Sequence, residues 1–95
     1  GSYAAQAYDA ALLIDSAIKK VGGDLSVKDA VREALRAAEF QSVRGDFKFN
    51  TNHYPIQDIY VQEVAKNEKG ELYQKLLGTA VEDIKDPDYQ KCPMK

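Results

Sequence analysis

Few side chains in this sequence combine the types and the spacing that catalysis or metal binding requires. His53 is the only histidine and Cys92 the only cysteine. A Ser-His-Asp or Cys-His arrangement needs a nucleophile held against the imidazole, and the spacing here proposes none. His53 and Cys92 fall far short of a zinc ligand set, and the sequence has no Walker pattern or other glycine-rich phosphate loop. We therefore predict no catalytic residue, no bound metal and no cofactor.

Paired carboxylates occur in one polar stretch near the end of the sequence. Glu82 and Asp83 are adjacent, and Asp86 and Asp88 flank Pro87. A perturbed carboxyl pKa requires burial or crowding by like charges, so we interpret these groups as solvated charges. The alternative is an oxygen-liganded cation at Asp86-Pro87-Asp88, which the absence of EF-hand spacing disfavours.

The tyrosines are the remaining candidates for a binding site. Tyr8, Tyr54 and Tyr60 could line a pocket for an apolar or aromatic ligand, because a ring offers a flat face and its hydroxyl a hydrogen bond. The alternative, which we favour, is that they form the amphipathic edge of the core. His53 lies beside Tyr54 at the join between two predicted strands. There it either meets a ligand or satisfies the turn, and the turn is the favoured interpretation.

A long amphipathic helix over residues 3–21 organises the rest of the chain, and the glycine pair after it provides a C-cap. Leu12 points into the polar side, so we expect the helix to be covered on more than one side, by this chain or by something else. The predicted apolar stripe comprises Tyr3, Ala7, Ala10, Ala11, Ile14, Ala17, Ile18 and Val21, and the predicted polar side Gln6, Asp9, Ser16, Lys19 and Lys20.

A second helix follows, and the hydrophobic period then changes from helical to two. Ser26 is its predicted N-cap, and its apolar stripe extends over residues 27–38. Residues 43–49 alternate as a strand with one buried side, in which Gly45 indicates a close backbone approach or a bulge. Residues 50–52 have turn composition.

Two further strands are predicted over residues 56–64 and 72–81, the second interrupted around Gly78. The four residues 67–70 join them as a hairpin loop. From residue 82 the sequence is polar and broken by proline, so we expect a tail that is ordered only if Ile84, Tyr89 or Met94 is anchored.

Composition narrows the classes of function. The sequence has 44% hydrophobic and 29% charged residues, which is typical of a globular domain. Its formal net charge is -2 and no basic block or Arg-rich face stands out, so nucleic-acid binding has no electrostatic footprint in the sequence. No run approaches the roughly 18 apolar residues of a membrane span. We interpret Gly1-Ser2 as a cloning scar. Cys92 is either a free thiol, which the sequence favours, or the partner of a cysteine outside this chain.

The order and spacing of several landmarks resemble one protein family. They are Ala7-Tyr8-Asp9-Ala10-Ala11 in a helix, Gly45-x-Phe47-x-Phe49-Asn50 in a strand, and a following strand with a charged hairpin. Together they resemble the C-terminal portion of type 1 periplasmic solute-binding proteins, which include the branched-chain amino acid receptors of ABC transporters. Residues 50–60 and the Tyr89-x-Lys91-Cys92 tail are most similar to a bacterial subgroup whose ligands include aromatic acids.

This resemblance implies an α/β fold in which the chain is a fragment of a two-lobed protein that closes on a small ligand by a hinge motion. The fragment would consist of two helices followed by about three strands with an antiparallel hairpin. Residues 3–54 would belong to one lobe, residues 55–81 would form the hinge-crossing strand and hairpin, and residues 82–95 the tail.

The implied function is capture of a branched-chain amino acid or aromatic acid in the periplasm and its delivery to an ABC permease, without covalent chemistry. The hinge crossing would lie near residues 53–57, so His53 and Tyr54 are the predicted ligand-binding residues. The alternative is a self-associating structural fragment that binds no ligand of its own, driven by orphaned apolar surface and unpaired strand edges. An enzyme is the least favoured interpretation.

Overall fold

The computed structural model describes residues 2–94 and contains two helices followed by three strands. The elements are α1 (Ser2–Lys20), α2 (Lys28–Ala37), β1 (Lys48–Phe49), β2 (Pro55–Lys66) and β3 (Leu72–Ile84). The strands form an antiparallel sheet in the order β1-β2-β3. The predicted arrangement of two helices and about three strands with an antiparallel hairpin is confirmed. Gly1 of the predicted scar and Lys95 of the predicted tail lie outside the described residues.

Helix α1 ends as predicted but packs through a different side. Gly23 donates its amide to the Ile18 carbonyl at 2.9 Å, and its φ of 84° is one that glycine adopts without strain. The buried residues of α1 are Asp9 and Ala17, and the half-buried residues are Ala5, Leu12, Leu13 and Ser16. The assignment of Asp9 and Ser16 to the solvent side was therefore wrong, because α2 and the loop after it cover that side.

Much of the predicted stripe on α1 is instead uncovered within this chain. Tyr3 is 85% exposed and Ile14 54% exposed, and Tyr8 at the margin is 60% exposed. Only Ala17 of that stripe is buried. The helix thus has apolar residues on two sides, and this chain covers one of them. The expectation that the second side is also covered stays a prediction.

Helix α2 begins without the predicted side-chain cap. Its N-cap residue is Val27, and Ser26 instead donates its amide and its hydroxyl to the Asp24 carboxylate at 3.0 and 2.6 Å. The predicted cap was wrong because the Asp24 side chain closes a turn that engages Ser26 first. Both hydrogen bonds lower the pKa of Asp24, the one from the Ser26 hydroxyl more than the one from the Ser26 amide.

The predicted strand over residues 43–49 is shorter than expected. Residues 43–46 form a turn, and only Lys48–Phe49 pair with β2. The turn arises because Val43 and Arg44 direct polar groups to Asp9, and because Gly45 has a φ of 96°. The close approach predicted at Gly45 is confirmed, since a Cβ there would lie 2.7 Å from the Tyr60 hydroxyl.

Strands β2 and β3 form a long two-stranded ribbon. Their pairing extends from Gln57 opposite Ile84 to Lys66 opposite Leu72, and the register shifts near Gly78 as predicted. The 67–70 loop is also confirmed, with the Gly70 amide bonded to the Asn67 carbonyl at 2.9 Å. The predicted end of β3 at residue 81 was too early, because the pairing with β2 continues to Ile84.

The core is small for the length of the chain. Its buried apolar residues are Ala17, Ala34, Ala38 and Ile56, and Phe47 lies 5.3 Å from Phe40 and 5.1 Å from Phe49, centroid to centroid. The radius of gyration is 16.5 Å, against about 12 Å for a compact chain of this length. The described residues extend 51 Å along their longest axis, because the ribbon does not pack against either helix. Apolar side chains on both faces of the ribbon are therefore exposed.

Candidate functional site

The two predicted site residues lie in the tight turn between β1 and β2. The His53 amide donates to the Asn50 carbonyl at 2.9 Å, and the Asn50 amide to the Tyr54 carbonyl at 2.8 Å. His53 has a φ of 63°, and both side chains are exposed. The structure thus places His53 and Tyr54 together at the predicted join, with the His53 backbone closing the turn. Contact of either side chain with a ligand stays a prediction.

The side chain of Asn52 supports this turn from within. Asn52 is only 8% exposed, although it lies in a turn. Its Oδ1 accepts a hydrogen bond from the Tyr54 amide at 3.3 Å, and its Nδ2 donates to Asp86 Oδ2 at 2.6 Å. The Met94 amide donates to the Thr51 carbonyl at 2.8 Å, so the tail contacts the turn at two neighbouring residues.

These contacts correct the interpretation of the tail carboxylates. Asp86 is half-buried and binds Asn52, and it also accepts the Asp88 amide at 3.2 Å. Asp88 pairs with Lys91 at 2.8 Å and is exposed, as expected of a solvated charge. Asp86 was missed because its partner lies 34 residues away and leaves no local signal.

A second polar cluster is centred on Asp9, which is 2% exposed. Asp9 Oδ2 accepts hydrogen bonds from Ser42 Oγ at 2.5 Å and from Arg44 Nε at 2.7 Å, and Oδ1 accepts the Val43 amide at 2.9 Å. Burial raises the pKa of Asp9, but the hydrogen bonds from Ser42, Arg44 and Val43, with the charge of Arg44, outweigh it and lower the pKa. The carboxylate is therefore ionised and fully partnered at neutral pH.

Arg44 extends this cluster from α1 to β2. Its guanidinium donates to Gln57 Oε1 at 3.1 Å and lies 5.5 Å from the centre of the Phe47 ring. Its carbonyl accepts the Tyr60 hydroxyl at 2.7 Å. The cluster thus joins the first helix, the turn at residues 43–46 and the start of β2. Its charged residues lie far apart along the chain, so no local pattern in the sequence predicts the cluster.

The clefts on this chain are open and differ from the tyrosine pocket that was considered. One, of about 520 Å³, lies between the start of α1 and the ribbon and includes Arg44, Tyr60 and Gln62 in its wall. Tyr8 and Tyr54 lie outside it, so the three tyrosines do not share this cleft. A second, of about 490 Å³, lies beside Leu12 and Phe40.

Over residues 2–94, no group of three or more His, Cys, Asp and Glu residues is placed to hold a metal ion. No helix there combines the length and the apolar character needed to cross a membrane. Cys92 is a free thiol and exposed.

Comparison with known proteins relates the chain to a family and to a solved structure. Residues 1–70 match the family described as periplasmic binding protein. Among solved structures, the chain resembles the solute-binding protein of an ABC transporter from R. palustris in complex with benzoate, with a TM-score of 0.69 and 35% sequence identity. The match covers 90% of this chain and 22% of that chain, so the sequence spans less than a quarter of that relative. Among curated proteins, none matches the chain significantly.

The match over residues 1–70 covers well over half of the sequence, and the similarity in structure extends it to the ribbon. The two helices and the antiparallel sheet correspond to part of the periplasmic binding protein fold. The chain therefore belongs to the type 1 periplasmic binding protein family.

Proposed function

We propose that this chain is part of the substrate-binding component of an ABC transporter, which captures a small aromatic carboxylic acid in the periplasm and delivers it to the membrane permease. The observation that carries this proposal is the 35% identity to a solute-binding protein solved with benzoate. Membership of the same family over residues 1–70 supports it. The component binds its solute without covalent chemistry, in accord with the lack of a predicted nucleophile.

We propose His53 and Tyr54 as the residues of this chain nearest the ligand. Both side chains are exposed on a turn whose backbone is closed by hydrogen bonds, so the backbone that carries them is set before binding. A phenol ring provides a flat apolar face and a hydroxyl donor, which suits a benzoate-like acid. Arg44 is a weaker candidate for the carboxylate partner, because Asp9 already neutralises its charge.

The organisation of the complete component follows from the same proposal. Residues 3–54 would belong to one lobe, the ribbon of β2 and β3 would cross the hinge, and the residues after β3 would form the tail. The Arg44 cluster supports this division because it joins the start of β2 to α1. A crossing strand that is fixed at its base moves with that lobe when the protein closes.

The test is calorimetry on the complete gene product with benzoate and with leucine. We expect micromolar binding of benzoate, and binding at least about tenfold weaker in Tyr54→Ala, which corresponds to about 1.4 kcal/mol. Tyr73→Ala is the matched control, because Tyr73 lies on β3 near the far end of the ribbon. Binding of leucine alone would favour a branched-chain amino acid receptor, and binding of neither would refute the proposal.

Self-association is a second candidate, favoured by the uncovered apolar surface. Within residues 2–94, β3 pairs with β2 alone, and Val64 and Leu76 on one face of the ribbon are 69% and 57% exposed. Unpaired edges with apolar neighbours favour strand pairing between copies. Light scattering of the 95-residue chain should then show dimers or larger species, and Val64→Lys should shift them towards the monomer. A monomer at high concentration would exclude this candidate.

A further inference from the structure

The turn between β1 and β2 adopts a backbone conformation that is unfavourable in free energy unless other contacts stabilise it. His53 is a non-glycine residue with a φ of 63°, which costs on the order of 1 kcal/mol. Asn50 Nδ2 is buried and has no hydrogen-bond partner among the described residues. Such positions persist where surrounding groups determine the backbone, so the contacts made from outside the turn are informative.

Those outside contacts come from the tail. After β3 pairs with the start of β2 at Gln57 and Ile84, the chain continues past the end of the sheet towards the turn. Asp86 accepts a hydrogen bond from the Asn52 side chain. Eight residues later, the Met94 amide donates a hydrogen bond to the Thr51 carbonyl. Asn52 is thereby buried to 8% exposure.

The tail between these two contacts has its own local structure. The Tyr89 amide donates to the Asp86 carbonyl at 3.2 Å, and the Lys91 amide to the Asp88 carbonyl at 2.9 Å. The Lys85 ammonium lies 5.8 Å from the centre of the Tyr89 ring. A segment ordered in this way holds both of its contacts at a fixed separation, which a flexible tail would not do.

We propose that residues 85–94 form a strap that positions the β1–β2 turn, with Asp86 as its anchor and Asn52 as the group it holds. The strap fixes the backbone that presents His53 and Tyr54. Asp86 and Asn52 are thus positioning residues for the site, and neither needs to touch the ligand. The part of the inference that concerns ligand affinity rests on the proposed function, whereas the strap itself does not.

The test exchanges the two partners and measures amide hydrogen exchange in the 95-residue chain. Asn52→Asp keeps the acceptor for the Tyr54 amide but places a carboxylate against Asp86. We expect exchange of the His53 and Asn50 amides to accelerate at least about tenfold, because a charge-assisted hydrogen bond is replaced by repulsion. Combining Asn52→Asp with Asp86→Asn restores a donor and an acceptor in reversed order, and exchange should return to within about twofold of the original rate.

Two further variants test whether the effect is confined to the turn and whether it depends on Asp86. Asp86→Ala, at a half-buried position outside the core, should accelerate exchange in the turn and leave the Ala17 amide in α1 unchanged. Asp83→Asn is the matched control, because it removes a nearby charge from an exposed side chain on the neighbouring strand. Unchanged turn exchange in Asp86→Ala, or failure of the double variant to restore protection, would overturn the strap.

Benzoate affinity of the complete gene product separates this inference from the proposed function. If the strap positions the site, Asp86→Ala weakens benzoate binding and the Asn52→Asp, Asp86→Asn pair recovers it. If the unmodified protein binds no benzoate, the proposed function fails while the exchange result still decides the strap. If Asp86→Ala binds benzoate as the unmodified protein does, the positioning role is excluded.

Discussion

Asp9 is a charged residue in the middle of a helix that is nevertheless buried, and its partners explain how. Its two oxygens receive a hydroxyl, a backbone amide and a guanidinium. A buried carboxylate without such partners would cost several kcal/mol. Its burial therefore depends on Ser42, Val43 and Arg44 together.

Replacement of Asp9 by asparagine should destabilise the chain by at least about 2 kcal/mol, because it leaves the Arg44 guanidinium partly buried without its counter-charge. Asp15→Asn is the matched control on the same helix, since Asp15 pairs with Lys19 at the surface. We expect the control to change the free energy of unfolding by no more than about 0.5 kcal/mol. Urea denaturation measures both, and equal losses would contradict the prediction.

The lowered pKa of Asp9 also sets a pH dependence. Its ordinary value is 3.8, and its folded value lies below that. Above 3.8 the carboxylate is ionised in both states and the stabilisation is fully present. As the pH falls, the unfolded chain takes up the proton first, and the stabilisation is lost through the lowered folded pKa. The difference in unfolding free energy between the protein and Asp9→Asn should therefore shrink below 3.8; a constant difference would exclude this linkage.

Gly45 combines an unusual backbone angle with a close neighbour. Alanine there would meet the Tyr60 hydroxyl at 2.7 Å and would carry a φ of 96°. We expect Gly45→Ala to cost about 1–3 kcal/mol, and less in a Tyr60→Phe background, where the hydroxyl is absent. Gly70→Ala is the control for backbone angle alone, because Gly70 has a φ of 79° but open space around it. Thermal unfolding of the four variants separates the two effects, and the same loss in both backgrounds would mean that contact with Tyr60 contributes nothing.

At the scale of elements, the sequence predicts what forms locally and misses what depends on distant partners. Periodicity and the glycine pair are enough to locate α1, and the 67–70 loop predicts the hairpin. The side through which α1 packs cannot be predicted locally, because it depends on contacts with a loop more than 30 residues away in the sequence. For the same reason the alternation over residues 43–49 predicts a strand that is too long, because contact with Asp9 draws residues 43–46 into a turn.

The hairpin depends on one side chain in its loop. Asn67 Oδ1 accepts the amides of Lys69 and Glu71, each at 2.9 Å, and its Nδ2 donates to the Glu71 carboxylate at 2.8 Å. Asn67→Ala should destabilise the ribbon by about 1 kcal/mol and speed amide exchange along β2 and β3. Glu68→Ala, in the same exposed loop, is the control and should leave exchange unchanged. No change in Asn67→Ala would show that the strands alone hold the register.

At the scale of the whole molecule, the candidate site is partly visible in the sequence. The turn composition of residues 50–52 predicts the join that carries His53 and Tyr54, because turn propensity acts locally. No such signal predicts the Asn52–Asp86 contact, because a tail of polar residues has no periodic pattern. The resemblance to solute-binding proteins came from the order of several segments, and the match over residues 1–70 bears it out.

The extent of uncovered surface predicts how the 95-residue chain behaves alone. A small acid is held tightly when a pocket buries some 70–90% of its surface, and the two clefts beside α1 are open to solvent. The residues proposed nearest the ligand, His53 and Tyr54, are themselves exposed. We therefore expect calorimetry of this chain with benzoate or leucine to show no tight binding, even where the complete gene product binds benzoate. Micromolar binding by the chain alone would mean that one of its own surfaces encloses the ligand, and closure of two lobes around the ligand would then not be required.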